Sequence, residues 1–472
     1  MSFTGSIDYF SLETPLFLSS LLPLLATTNA DLAPAILNGV LLSLVVIYLA
    51  SKIGSEIAKY LNLSSVLGEL VAGLVVGISA LHLLVFPDSG LDGSSSIVMQ
   101  LLQFVNPLDP VVLDRVFAAQ SEVISVLAEL GVIILLFEIG LESDLRQLKQ
   151  VGAQAAVVAC TGVLVPFVLG TGGLMLLFNV SAIPAVFAGA ALTATSIGIT
   201  SKVLSELGQL KSSEGQIILG AAIIDDVLGI IVLAVVAGLA KTGSIDAMNV
   251  IYLIISATVF LVGSVLIGGF FNRSFVTIVD RLKTRGNIIT TAIVFAFMMA
   301  FLANALHLEA ILGAFAAGLV LDETDARNEL DELIKPIADL FVPIFFVTVG
   351  ARADLSGLNP AIESNRAGLV IAGFLIVVAI VGKVVTGWVV FGQPGINRLA
   401  IGAGMIPRGE VGLVFAGIGA ASGAIDKPLQ AAIIIMVIFT TLMAPPLLQI
   451  AFGKPDEPPT ATAIKSTSDP VN

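Results

Sequence analysis

Charge is what this 472-residue sequence lacks most: only 12% of its residues are Asp, Glu, Lys or Arg, against 57% hydrophobic ones. Soluble domains carry about 25% charged residues, so a chain this poor in charge cannot solvate a surface of its own size. Most of that surface must face membrane lipid, and the mean hydropathy of +1.03 agrees. Cysteine is nearly absent too. Cys160 stands alone, so no disulfide framework exists, and its apolar setting (GAQAAVVACTGVLV) predicts a buried, unreactive thiol. Histidine is confined to His82 and His307, which cannot build a metal centre between them. The net charge of −13 leaves no basic patch, so nucleic acid is not an expected partner.

What the chain has in plenty is apolar runs, together with 45 glycines and 20 prolines. Both residues are commoner in transmembrane helices than in soluble ones. A spanning helix needs about 20 mostly apolar residues, and that ruler picks out thirteen stretches. They are 32–60, 63–85, 118–141, 145–178, 182–207, 213–240, 246–272, 288–306, 309–322, 328–350, 364–391, 395–422 and 428–452. The expected fold class is an all-α membrane protein of about 13 transmembrane helices. The ninth stretch is short, and the tenth opens on charged residues expected to lie along the membrane surface before FVPIFFVTVG.

Lysine and arginine set the orientation. With the first span starting outside, fifteen of them fall in inside segments and five in outside ones, leaving Lys383 and Arg408 within spans. The positive-inside rule then puts the N-terminus outside and the C-terminus in the cytoplasm. Residues 1–31 contain an apolar core, PLFLSSLLPLLATTNA, with no basic residue before it. That pattern fits an amphipathic helix outside or a cleaved segment. Residues 453–472, proline-rich and polar, are expected to be disordered.

Ionisable groups inside a helix bundle are costly and mark function by default. Asp225 and Asp226 sit in GAAIIDDVLGIIVLAVV, after ten unbroken residues of GQIILGAAII. Neighbours on a helix point about 100° apart, so one carboxylate can meet a fixed cation while the other faces a cavity. The alternative is a pair of aspartates capping a helix that starts later. Lys383, in GFLIVVAIVGKVVTGWVVFG, either snorkels to the inner surface or lies beside a buried aspartate.

Two segments break the helical pattern. LTATSIGIT (192–200) places Thr193, Thr195, Ser196 and Thr200 among apolar residues. GAGMIPRGEVGLV (402–414) places Pro407, Arg408 and Glu410 in mid-span, and proline interrupts the turn before it. Non-helical backbone at membrane depth is tolerated where it is protected or lines a cavity. Breaks at matching places in two halves point to a transporter's binding site. With the seventh span as a linker, spans one to six match spans eight to thirteen as an inverted repeat. Arg408 and Glu410 then either pair to hold the break in place or act on the ion directly. Glu69, Glu129 and Glu138 fit helix contacts, a cavity mouth or a proton path equally well.

The ordered set ATSIGITSKVLSELG, GAAIIDDVLGIIVLAVV, VGKVVTGWVV and GMIPRGEVGLV resembles the monovalent cation:proton antiporter superfamily. It is most similar to the NapA-like bacterial sodium/proton antiporters, over most of residues 32–452. The resemblance implies two inverted-topology repeats with two broken, crossing helices. It divides the chain into a core domain (145–240 and 364–452), a dimerisation domain (32–141 and 288–350) and a linker helix (246–272), assembled as a homodimer. By similarity Asp226 binds the ion and the proton, Asp225 pairs with Lys383, and Thr195 joins Asp226 around sodium. Arg408 and Glu410 match the charged motif of the twelfth span.

The expected activity is sodium/proton exchange by alternating access, electrogenic at two protons per sodium if Lys383 also gives up its proton. No enzyme activity and no cofactor are expected beyond the transported ions. The host membrane would be a bacterial plasma membrane, or a thylakoid membrane in a photosynthetic source. Three other classes stay open at this point. A potassium/proton exchanger of the Kef-like branch usually carries Gln-Asp where this chain has Asp225-Asp226. An intramembrane aspartyl protease needs two aspartates on different helices sharing a proton. A channel would conduct sodium without protons.

Overall fold

The computed structural model describes residues 32–242, 247–260, 263–264, 286–324, 326–355, 358 and 363–453. The expectations for residues 1–31, for the tail from 454 on and for the second half of the linker lie outside them. In chain order the helices are α1 (Ala33–Tyr60), α2 (Ser65–Val76), α3 (Ile97–Val105), α4 (Pro110–Glu142), α5 (Leu145–Gln150) and α6 (Gly152–Leu177). Then come α7 (Ala182–Ala191), α8 (Ile197–Glu206), α9 (Ser213–Thr242), α10 (Ala247–Phe260), α11 (Asn287–Ala305) and α12 (Ala310–Asp322). The last are α13 (Arg327–Ala351), α14 (Glu363–Val384), α15 (Arg398–Gly404), α16 (Glu410–Ala421) and α17 (Lys427–Phe452).

Eight of these are long and apolar enough to cross a membrane, as a medium without water demands of backbone that must satisfy its own hydrogen bonds. The shorter apolar ones include α2, α7, α10 and α12. The charged opening of the tenth stretch does not lie apart from the span: Arg327–Ala351 is one continuous helix, with Pro336 and Pro343 inside it.

The surface is what lipid requires. Along α1, Leu37, Leu41, Val45, Leu49, Ile53 and Ile57 are each more than half exposed, a stripe at four-residue intervals. The opposite face carries the small and buried Ala35, Gly39, Ser43, Ala50 and Gly54. Cys160 corrects an expectation, because its side chain is exposed on α6 and not buried. An apolar neighbourhood in sequence is equally the signature of a helix face turned to lipid.

Two groups of helices pack within themselves. α1, α2, α4, α11, α12 and α13 form one, and α6, α7, α9 and α14–α17 the other; α8 meets α4, and α17 meets α2, where the groups touch. Small residues let backbones approach in the first group, where helices cannot gain by hiding apolar surface from lipid. Gly54 lies against the Gly68 carbonyl, and Gly140 and Gly318 face each other between α4 and α12. The Gly73–Gly77 pair is a seam of this kind, with the backbone of α13 at Val347 and Ala351 filling the space a side chain would need.

Candidate ion-binding site

Both breaks are real, and each supplies what the other lacks. After α7 the chain leaves the helix at Leu192, and the Thr193 hydroxyl donates back to the Ala190 carbonyl at 2.8 Å. Such a local bond competes with helix continuation. After α15 the chain runs through Met405 to Gly409, where Pro407 has no N–H to give. The two interruptions lie side by side. The Ser196 N–H donates to the Pro407 carbonyl at 2.8 Å, the Thr195 hydroxyl to the Met405 carbonyl at 3.2 Å and the Thr200 hydroxyl to the Gly404 carbonyl at 2.9 Å. In return Arg408 donates from Nη1 to the Ala194 carbonyl at 2.7 Å, and Thr441 on α17 covers the Arg408 carbonyl at 2.6 Å. Helix ends leave carbonyls without partners; here the facing break or a neighbouring hydroxyl takes them up.

The charges collect at this crossing. α9 runs unbroken from Ser213, so Asp225 and Asp226 lie well inside a helix and do not cap one. Asp225 is fully buried and Asp226 is 7% exposed. Lys383, on α14, is fully buried and does not snorkel. Its Nζ lies 3.2 Å and 3.4 Å from the two Asp225 oxygens and donates to the Thr195 hydroxyl at 2.8 Å. Gly162 on α6 leaves room for the ammonium, since a Cβ there would sit 3.1 Å from Nζ. At 3.2 Å an ion pair is worth roughly 5 kcal/mol at an effective dielectric near 20, set against the cost of desolvating both charges.

Arg408 is also fully buried, with Nε and Nη2 unpartnered. Among the described side chains buried at the crossing, the formal charges of Asp225 and Asp226 offset those of Lys383 and Arg408. The Glu410 side chain lies outside the described residues, so its pairing with Arg408 is not addressed; its backbone opens α16.

Asp226 faces a narrow cavity lined also by Ala194, Thr195, Ser196, Gly409, Glu309 and Phe345. Val132, Phe345 and Gly409 line, in addition, a cavity of about 230 Å³ reaching toward Arg352 between the two helix groups. Glu129 lines that wider cavity. At the opposite end, a polar cavity of about 260 Å³ holds Asp144, Arg146, Lys211, Asp322 and Arg327, and it shares no lining residue with the space at Asp226.

The other acids divide. Glu69 accepts from Ser51 at 2.9 Å and Ser55 at 3.3 Å within the first helix group, which is a helix contact. Glu138 is buried with Oε2 unpartnered. Sequence reasoning passed over Glu309, whose only signal was an acid at the head of a short span. It also left Ser196 among several polar residues with no reason to rank it. Among the described residues no cluster of His, Cys, Asp and Glu could hold a resident metal.

Crossed broken helices around a buried aspartate and a buried lysine, in an all-helical membrane-embedded chain, define a secondary transporter. Residues 40–453 match the sodium/hydrogen exchanger transmembrane family, and the chain belongs to that family. It is 61% identical over 447 residues to the high-affinity Na⁺/H⁺ antiporter NhaS3 of Synechocystis sp., covering 94% of this chain and 97% of that one. It is 32% identical over 416 residues to the Na⁺/H⁺-K⁺ antiporter GerN of Bacillus cereus, covering 87% and 96%. The solved structure of the sodium proton antiporter MjNhaP1 from Methanocaldococcus jannaschii has the same fold. Its TM-score is 0.57 at 17% identity, over 89% of this chain and 100% of that one.

Proposed function

We infer that the chain exchanges sodium ions for protons across a membrane by alternating access, with Asp226 as the carboxylate for which the two ions compete. The observation that carries this reading is the placement of Asp226. It is a nearly buried acid at the crossing of two broken helices, in a narrow cavity that shares Val132, Phe345 and Gly409 with the wider one lined by Arg352. Sodium must replace its water shell with oxygen ligands. Asp226, the remaining lone pair of the Thr195 hydroxyl and backbone carbonyls of the breaks are oxygens of the suitable kind.

Charge balance gives the exchange its logic. With Asp226 ionised, it and Asp225 offset Lys383 and Arg408 in formal charge. One sodium or one proton at Asp226 adds one positive charge alike, so either cargo can occupy the site and both at once is costly. If sodium draws Asp225 away from Lys383, the ammonium can release its proton, and two protons return per sodium. A measured ratio of one to one from reversal potentials would exclude that step.

The second helix group (α6, α7, α9 and α14–α17) is the moving core in this reading. The first forms the scaffold and the homodimer contact. The bias of lysine and arginine supports an outer N-terminus and a cytoplasmic C-terminus, in a bacterial plasma membrane or a thylakoid membrane. Potassium deserves a place in the assay, because GerN, at 32% identity, is a sodium/proton–potassium antiporter by name. An aspartyl protease does not fit, since Asp225 is tied to Lys383 and not to a second aspartate across a shared proton.

The experiment is sodium-driven proton movement in proteoliposomes, with wild type and Asp226→Asn side by side. Exchange in the wild type and its loss in the variant are expected. Exchange that survives Asp226→Asn would remove Asp226 from the mechanism, and sodium current without proton movement would make the protein a channel.

A further inference from the structure

Glu309 is a carboxylate at membrane depth, which its place in the fold makes clear. It precedes α12, a helix of 13 residues and hence about 20 Å long. The far end of α12, Asp322, lines the same polar cavity as Lys211, in the turn just before α9 begins at Ser213. Asp226 lies thirteen residues beyond Ser213, and Glu309 thirteen residues before Asp322. The two carboxylates thus stand at one depth, about 20 Å from that end, and both line the narrow cavity with Thr195, Ser196 and Gly409.

The two carboxylates belong to different helix groups: α12 packs on α4 and α11, whereas Asp226 rides on α9 with α6. Ionisable groups inside a bundle mark ion pathways, and two carboxylates lining one narrow space between the groups offer oxygen ligands to one cation from both sides.

We propose that Glu309 is a stationary cation ligand, holding sodium jointly with Asp226 only while the site is open toward Arg352. This rests on the sodium/proton reading of the same site. When the second helix group moves, Asp226 carries the ion away and Glu309 stays with the scaffold. Sodium is then held by two carboxylates on the Arg352 side and by one on the opposite side, so the chain binds it more tightly from the Arg352 side.

The test is the apparent KM for sodium, measured from each face in proteoliposomes of uniform orientation made with the full-length chain. Glu309→Gln should raise the KM about tenfold, the loss of one favourable charge, on the Arg352 side. The KM from the other face should stay within about twofold. Glu309→Asp keeps the charge and should show a smaller rise on the same side; it serves alone if the glutamine variant does not fold. An equal change on both faces, or none on either, overturns the proposal. Failure of the exchange reading is separate and would show as a wild type that moves no protons in response to sodium.

Discussion

The Lys383 ammonium lies closer to the Thr195 hydroxyl, at 2.8 Å, than to the nearest Asp225 oxygen, at 3.2 Å. One cation thereby joins three elements: α14, the middle of α9 and the break that follows α7. Thr195 passes the contact on, because its hydroxyl donates to the Met405 carbonyl in the other break. Lys383 is thus connected through Thr195 to both interruptions.

Removing that cation alone should be severe. Lys383→Ala leaves Asp225 buried without its partner, and breaking a buried pair from one side costs about 3–5 kcal/mol. The double variant Lys383→Ala with Asp225→Asn should recover most of the loss. Melting temperatures in detergent for the two single variants and the double one measure the coupling. Additive losses would mean that the pair contributes nothing as a pair. If the double variant still exchanges ions, reversal potentials should show one proton per sodium.

Competition for one carboxylate fixes a pH dependence. A proton on Asp226 excludes sodium, so the apparent KM for sodium should rise as pH falls and level off once the carboxylate stays ionised. One competing proton gives a rise of about tenfold per pH unit, and two coupled protons give up to about a hundredfold. Initial rates across a sodium series at several pH values yield the slope. A KM independent of pH would end the idea of a shared carboxylate.

Arg408 offers a test of charge balance. Arg408→Met removes one positive charge from the crossing, so sodium should bind more tightly and leave more slowly. The Ala194 carbonyl loses its donor, at a cost of about 1–3 kcal/mol. Relief of the unpartnered Nε and Nη2 offsets part of that. Sodium titrations of the melting temperature, beside exchange rates, should show a lower midpoint and a lower turnover. Weaker sodium binding would contradict the charge argument.

Glycines on two faces should behave in opposite ways. A Cβ at Gly318 would meet the Phe137 carbonyl and the Gly140 backbone, whereas a Cβ at Gly172 meets nothing within 4 Å. Gly318→Ala should destabilise by about 1–3 kcal/mol through overpacking. Gly172→Ala should be neutral, or stabilise by up to about 1 kcal/mol through helix propensity. Melting temperatures separate the two, and equal shifts would mean that the α4–α12 contact is looser than its geometry.

Much of this protein is determined by the sequence alone, because the physics involved is local. Lipid selects apolar runs of helical length, so helix positions followed from hydropathy to within a few residues along most of the described chain. Proline at 407 and the Thr–Ser run at 193–196 interrupt helices by removing or diverting backbone hydrogen bonds to near neighbours, so both breaks were legible as well. The charges at 225, 226, 383 and 408 stood out against lipid for the same reason.

Only the tertiary structure decided what those residues do to one another. Asp225 and Lys383 are 158 positions apart, and Thr195 and Met405 are 210 apart; no local rule carries information over that distance. Local pattern also fails to separate a side chain buried in protein from one facing lipid, since both are apolar. Cys160 was misjudged for that reason. Glu309 was missed for a related one: at the head of a short span it reads as a surface acid. Its depth beside Asp226 exists only once α12 has packed on α4 and the two breaks have crossed.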